Sequence, residues 1–137
     1  MITHPVLAID YGDARIGLAA TDDLGIAMHA IGTIEVGKCD PITELTRIIS
    51  ERKIQQIVLG LPLRMDGSEG TSAEKVRAFG TKLSEVVKEI PLDYSDERLT
   101  TVTASEKLHS AGKNAKKQKG LIDQAAALEI LKDWLGW

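Results

Sequence analysis

Three acidic positions, far apart in the chain, lie where an ionised carboxylate is energetically unfavourable unless it has a partner. Asp10 directly follows the apolar run Val6-Leu7-Ala8-Ile9, which is typical of a strand buried on both faces. Burial penalises the charged form of a carboxylate, so an acid here needs a partner or a cation. A hydrogen bond to the turn at Gly12 is the structural alternative. Because it lacks a Cβ, Gly12 also allows a phosphate or a metal to approach the backbone.

Asp123 lies on the apolar side of the helix predicted at the end of the chain. At 100° per residue, it falls among the inward-facing side chains rather than the charged ones. That apolar side consists of Ala127, Ile130, Leu131 and Trp134. An inward carboxylate is rare unless something pairs with it. The alternative is a favourable place in the helix dipole, which is worth only ~0.3–1 kcal/mol and would be served equally by an outward position.

The adjacent acids Asp96 and Glu97 follow a short predicted strand at residues 92–95. With Arg98 they form a charged triplet. Such triplets are usually solvated turns, but the predicted sheet places this one opposite Asp10. Successive strand residues point to opposite faces, so only one of the two acids is expected to face Asp10. We predict Glu97 and keep Asp96 as the alternative.

Together, these acids predict a catalytic metal site made of Asp10, Glu97 and Asp123. Oxygen-only ligand sets suit Mg²⁺ or Mn²⁺ rather than Zn²⁺. Clustered carboxylates repel one another unless cations neutralise them. Two such ions ~3.5–4 Å apart can activate a water molecule and stabilise the leaving oxygen of a phosphodiester. The pattern therefore predicts metal-dependent phosphodiester hydrolysis without a side-chain nucleophile.

Several basic residues near these acids are candidates for phosphate contacts. The lysine-rich stretch at residues 113–119 immediately precedes Asp123, although a solvated loop is equally expected there. Aromatic residues make up only 4% of the chain, which leaves little for base stacking. The predicted substrate contacts are Gly12, Arg15, Arg64, Arg98, Lys116, Lys117 and Lys119.

The order of elements predicts an α/β domain with a mixed five-stranded sheet flanked by helices. Three strands at about residues 6–9, 16–20 and 26–36 are joined by short turns, which favours an antiparallel meander. Helices and strands then alternate, which implies a parallel half. Ligands gather at the carboxyl ends of parallel strands, and Asp10, the corner at residues 60–62 and Asp96-Glu97 all lie near such ends.

Helix signals complete this prediction. Asp40 followed by Pro41 indicates a capped helix start. Thr71 with Glu74 predicts a capping box at the start of the second helix. Two further helices are expected at about residues 101–110 and 121–135.

Composition sets the broad class. The 137 residues are 43% hydrophobic and 27% charged, which is ordinary for one globular domain spanning residues 1–137. The net charge of −3 argues against a protein that coats nucleic acid by bulk electrostatics. The single Cys39 favours a reducing compartment, and no apolar run approaches the ~20 residues of a membrane span. We predict a cytoplasmic protein that does not engage membranes.

Four blocks of sequence resemble the YqgF family, also called RuvX-like pre-16S rRNA nucleases. They are AIDYGDARIGLA (residues 8–19), GLPLRMDG with VRAF (60–67 and 76–79), DERLTT (96–101) and the stretch at 119–131 that includes Ile122-Asp123. The resemblance implies a ribonuclease H-like fold related to Holliday junction resolvases, and a role in maturing the 5′ end of 16S rRNA in the bacterial cytoplasm. It also implies that the family's acidic residues are Asp10, Glu97 and Asp123. The basic tract departs from the family pattern, because Ala115, Gln118 and Gly120 interrupt it.

Three classes of function follow. The first is a metal-dependent nuclease acting on structured RNA such as pre-rRNA, with a Holliday junction (branched DNA) resolvase as a close variant and the small ribosomal subunit as a partner. The second is a non-catalytic, RNA-binding ribosome-assembly factor, against which bare carboxylates argue. The third is a sugar-kinase or actin-like ATPase, whose first strand also ends in Asp-x-Gly. Those enzymes close two domains around a nucleotide, and 137 residues supply only one.

Overall fold

A five-stranded mixed sheet forms the centre of the molecule. In the computed structural model, which describes residues 2–97 and 115–137, the strands are β1 (Val6–Tyr11), β2 (Arg15–Thr21), β3 (Met28–Glu35), β4 (Gln56–Leu61) and β5 (Leu92–Asp96). Their order across the sheet is β3-β2-β1-β4-β5. The first three strands are antiparallel, and β4 and β5 continue the sheet parallel to β1. The predicted mixed α/β architecture is confirmed.

Helices cover both faces of the sheet. They are α1 (Pro41–Arg52), α2 (Thr71–Val86) and α3 (Ala115–Leu135), with a 3₁₀ turn at Val36–Lys38. Asp40 caps α1 as predicted, since its carboxylate accepts a hydrogen bond from the Thr43 amide at 3.3 Å. No helix in the described ranges combines the length and apolarity that a bilayer crossing needs.

Two helix predictions differ from the structure, and a third falls outside the described residues. The capping box is wrong: Gly70 is the N-cap, and Thr71 already belongs to α2, so its hydroxyl does not cap the helix. The last helix begins at Ala115 rather than near residue 121, because the lysines and glutamine before Gly120 are themselves good helix formers. The helix predicted at about 101–110 lies outside the described residues.

Alternation along β1 divides the apolar interior into two layers. Leu7 and Ile9 pack with α1 and α2 on one face of the sheet. Val6 and Ala8 pack with α3 on the other. Because side chains alternate along a strand, Asp10 projects to the same face as Ala8, toward α3.

One row of residues crosses all five strands at the level of Asp10. The register pairs Thr33 with Gly17 and Gly17 with Asp10 on one side, and Gly60 with Ser95 on the other. In the parallel pairing of β1 with β4, Ile9 lies opposite Leu59, so the next residues, Asp10 and Gly60, are level with each other. We call this set the Asp10 row.

Two glycines of the Asp10 row allow α3 to lie close against the sheet. A Cβ added to Gly17 would overlap the backbone carbonyl of Asp123, and one added to Gly60 would overlap the side chain of Ile130. Glycine inside a strand commonly marks such a close approach. The missing side chains on either side of Asp10 therefore bring Asp123 next to it.

Gly17→Ala should lower the free energy of unfolding by about 2–3 kcal/mol, because the new methyl group meets helix backbone that cannot rotate away. Chemical denaturation measures this loss. Gly120→Ala is the matched control within α3: the nearest atom to its added Cβ is 3.9 Å away, so it should stabilise the helix by about 0.5–1 kcal/mol. A Gly17→Ala protein as stable as the unaltered chain would contradict this account of α3 packing.

Candidate active site

Asp10 lies among other acids where β1 approaches its carboxyl end. Its pKa is raised from 3.8 to about 7, first by burial and then by the nearby charges of Asp123 and Glu97. A large fraction of Asp10 therefore carries a proton at neutral pH in the metal-free protein. Asp123 and Glu97 therefore lie close enough to Asp10 for their charges to disfavour its ionised form.

Asp123 approaches Asp10 from α3, above Gly17. Arg15 Nε donates a hydrogen bond to Asp123 Oδ2 at 2.8 Å, and the two side chains are 34% and 16% exposed. Burial raises the pKa of Asp123, and Arg15 opposes that rise. The next residues on the same side of the helix, Ala126, Ala127 and Ile130, are fully buried.

Glu97 faces Asp10, and Asp96 does not. The Glu97 amide donates to the Leu61 carbonyl at 3.1 Å, which extends the β5 ladder one residue beyond Asp96. Ser95 Oγ donates to Glu97 Oε1 at 2.8 Å, and Glu97 Cγ lies beside Gly60 of the Asp10 row. Asp96 is exposed on the alternate side, and Glu97 rather than Asp96 is among the charges that raise the pKa of Asp10.

The three carboxylates match a hard divalent cation in donor type. Burial raises the pKa of Asp10 most, and a bound cation would relieve the repulsion from Asp123 and Glu97 that adds to it. In the part of the chain that the structure describes, no three acidic, histidine or cysteine side chains already form a metal-holding group. The three residues fit Mg²⁺ or Mn²⁺ by the type of their donor atoms and by their charge.

The predicted phosphate-contact residues fall in different places. Gly12 closes the tight β1–β2 turn, since an added Cβ would lie 2.6 Å from the Arg15 carbonyl oxygen. The Arg64 guanidinium lies over Gly70 at the start of α2, 3.1 Å from the position of an added Cβ. Arg98 lies outside the described residues, as do the side chains of Lys116, Lys117 and Lys119.

Reasoning from sequence missed the residues that hold α3 at Asp123. Thr33 Oγ1 donates to the Gly120 carbonyl at 3.2 Å and accepts from Gln124 Nε2 at 3.1 Å. The glycine at position 17, inside an otherwise apolar strand, was a signal that another backbone comes close. Nothing in the sequence pointed to Thr33.

Comparisons with known proteins identify the relatives of this chain. The family model described as RuvX, Holliday junction resolvase, matches residues 4–136. A Cutibacterium acnes protein named as a candidate pre-16S rRNA nuclease is 44% identical over 126 residues, covering 92% of this chain and 78% of its own length. A Synechococcus protein of the same name is 38% identical, covering 96% of this chain and 89% of its own.

A solved structure supports the fold. The yeast mitochondrial Holliday junction resolvase matches with a TM-score of 0.57 at 12% sequence identity, over 98% of this chain and 79% of that one. At this identity the likeness concerns architecture alone. The predicted ribonuclease H-like fold is confirmed.

Asp10→Asn should stabilise the metal-free protein at pH 8 and leave it nearly unchanged at pH 4. Folding raises the pKa of Asp10 to about 7, so the folded state binds a proton more readily than the unfolded chain between about pH 4 and pH 7. Stability is therefore lost as the pH rises through this window. The Asn variant avoids that loss, and we expect a gain of about 4 kcal/mol at pH 8 in the presence of EDTA.

Thermal and chemical denaturation at the two pH values check this gain. Asp96→Asn, which removes an exposed neighbouring acid, should show no comparable pH-dependent gain. An Asp10→Asn variant equally stable or less stable at pH 8 would mean that Asp10 is not under the electrostatic strain described above.

Proposed function

The chain belongs to the RuvX family, and from this membership we propose that it is a nuclease that matures the 5′ end of pre-16S rRNA. Its bacterial relatives carry that name, and this chain spans most of their length. We propose that it acts in the cytoplasm as a single catalytic domain on structured RNA. The precursor of the small ribosomal subunit is the partner that this substrate implies.

One observation carries the proposal of catalysis. Asp10 meets two other acids, Glu97 and Asp123, at one edge of the sheet, and burial together with the charges of these two acids raises its pKa to about 7. A purely structural site would gain nothing from this repulsion, whereas strongly shifted acids are common in catalytic clefts. A surface that only binds RNA would be weakened by it, because phosphates are repelled as well.

We assign Asp10, Glu97 and Asp123 to hold Mg²⁺ or Mn²⁺, with Asp96 as a neighbouring acid outside the cluster. When bound, such an ion supplies the positive charge that activates water and stabilises the leaving oxygen of a phosphodiester. Asp10 must be ionised to take part, and it therefore gives up its proton when the site is filled. Ser95 orients Glu97 by donating to Oε1.

Basic side chains in the segments that follow β1 and β4 support the proposal of a nucleic acid substrate. Arg64 lies in the loop after β4, and Arg15 lies beside Asp123. We propose that both contact phosphates together with Gly12, Arg98, Lys116, Lys117 and Lys119. Since the net charge is −3, binding must rely on this local group and should weaken strongly with added salt.

Branched DNA is the second candidate substrate. The family model's own description names Holliday junction resolvase activity. The hydrolysis would use the same carboxylates on either nucleic acid, so only the substrate contacts would differ. A direct comparison of the two substrates is therefore needed.

Nuclease assays on a 5′-extended 16S rRNA fragment and on a four-way DNA junction, each with Mg²⁺ or Mn²⁺, test the proposal. Asp10→Asn, Glu97→Gln and Asp123→Asn should each lose more than about 100-fold in rate, because even residues that only support metal ligands cost about 10–100-fold. Asp96→Asn is the matched control and should keep most of the activity. Faster cutting of the RNA is expected.

Two results would overturn parts of this account. Full activity of the Asp10→Asn protein would remove the assignment of the site. Tight RNA binding without cutting in either metal would favour a non-catalytic assembly factor, and cutting of the junction alone would favour the resolvase.

A further inference from the structure

The ion pair between Arg15 and Asp123 differs from the others of the described chain. Its partners are 108 residues apart and both are less than half exposed, whereas most other pairs lie within one helix or on the open surface. It joins β2 to α3 at the point where Asp123 reaches Asp10. Arg15 therefore neutralises one of the three acids while the site is without a cation.

A bound cation and the Arg15 guanidinium compete for the negative charge of the Asp123 carboxylate. The guanidinium lies 2.8 Å from Oδ2, and two positive charges that share one carboxylate oxygen repel strongly in a partly buried site. Closure around an ion requires Asp123 to leave Arg15, or at least to turn from it.

The fold allows this exchange, because α3 does not depend on Arg15 for its position. The Gly120 carbonyl and the Gln124 side chain are both bound to Thr33. Ala127, Ile130 and Leu131 are buried against the sheet. Losing the Arg15 contact would free a side chain without releasing the helix.

We propose that Arg15 is a positioning residue that holds Asp123 in the metal-free protein and is displaced from it when a divalent cation binds. The displaced guanidinium, already 34% exposed, then turns outward, where its planar donors suit a substrate phosphate. This inference rests on the proposed cation-dependent function. Arg15 would contact Asp123 before the cation binds and a substrate phosphate afterwards.

Mn²⁺ titrations by calorimetry test the competition. Arg15→Gln should bind Mn²⁺ roughly five- to tenfold more tightly than the unaltered chain, because no guanidinium has to be displaced. Lys75→Gln is the charge-matched control: Lys75 pairs with Asp13 in the β1–β2 turn at 3.0 Å and does not touch Asp123. It should change the affinity for Mn²⁺ by less than about twofold. Arg15→Lys, which keeps the charge, should stay near the unaltered affinity.

An NMR titration with Mg²⁺ distinguishes this exchange from a purely structural role of Arg15, in which the Arg15 signal would not respond to Mg²⁺. The Arg15 Nε–H signal should shift with the same midpoint as Mg²⁺ binding. If Mg²⁺ binds while this signal stays fixed, and Arg15→Gln behaves like Lys75→Gln, the exchange is overturned but the nuclease proposal stands. If neither the unaltered chain nor any variant binds Mg²⁺ or Mn²⁺, the cation dependence fails and the exchange fails with it.

Discussion

The close contact between α3 and the sheet at Gly17 is the constraint on which the site depends. It brings the backbone of Asp123 to within reach of a strand residue paired with Asp10. A side chain at Gly17 would push the helix away and separate the two acids. The site therefore depends on the glycines on either side of Asp10, Gly17 and Gly60, as much as on the acids themselves. Thr33, at the end of the same row, fixes where along α3 this contact occurs.

Bringing three acids together has an electrostatic cost, and the molecule offers three ways to reduce it. A proton reduces it at Asp10, whose pKa is raised to about 7. Arg15 reduces it at Asp123. We propose that a divalent cation does so for all three acids. Which of these charges is present depends on pH and on metal, so the stability and the activity of this protein should respond to both. Sites tuned for function commonly reduce stability in this way.

Sequence patterns predicted the placement of the acids better than their contacts. The apolar run before Asp10 and the helical spacing around Asp123 each depend on local periodicity, which a single sequence displays directly. The alternation of side chains along a strand implied that only one of Asp96 and Glu97 faces Asp10. The hydrogen bond from the Glu97 amide to the Leu61 carbonyl continues the strand and places Glu97 on that side. The pairing of Arg15 with Asp123 could not be foreseen, because it depends on the lateral position of α3 over the sheet. The capping box at Thr71 was wrong because the helix begins one residue earlier than the motif requires, which makes Gly70 the N-cap.

The central claim is that Asp10 shares a divalent cation with Glu97 and Asp123. An NMR titration that follows the Asp10 side-chain carboxyl carbon with pH, with and without saturating Mg²⁺, tests this claim most directly. The account predicts a midpoint near 7 without metal and a midpoint well below it with Mg²⁺, because the ion favours the ionised carboxylate. A midpoint near the ordinary value of 3.8 without metal, or one that Mg²⁺ leaves unchanged, would contradict it.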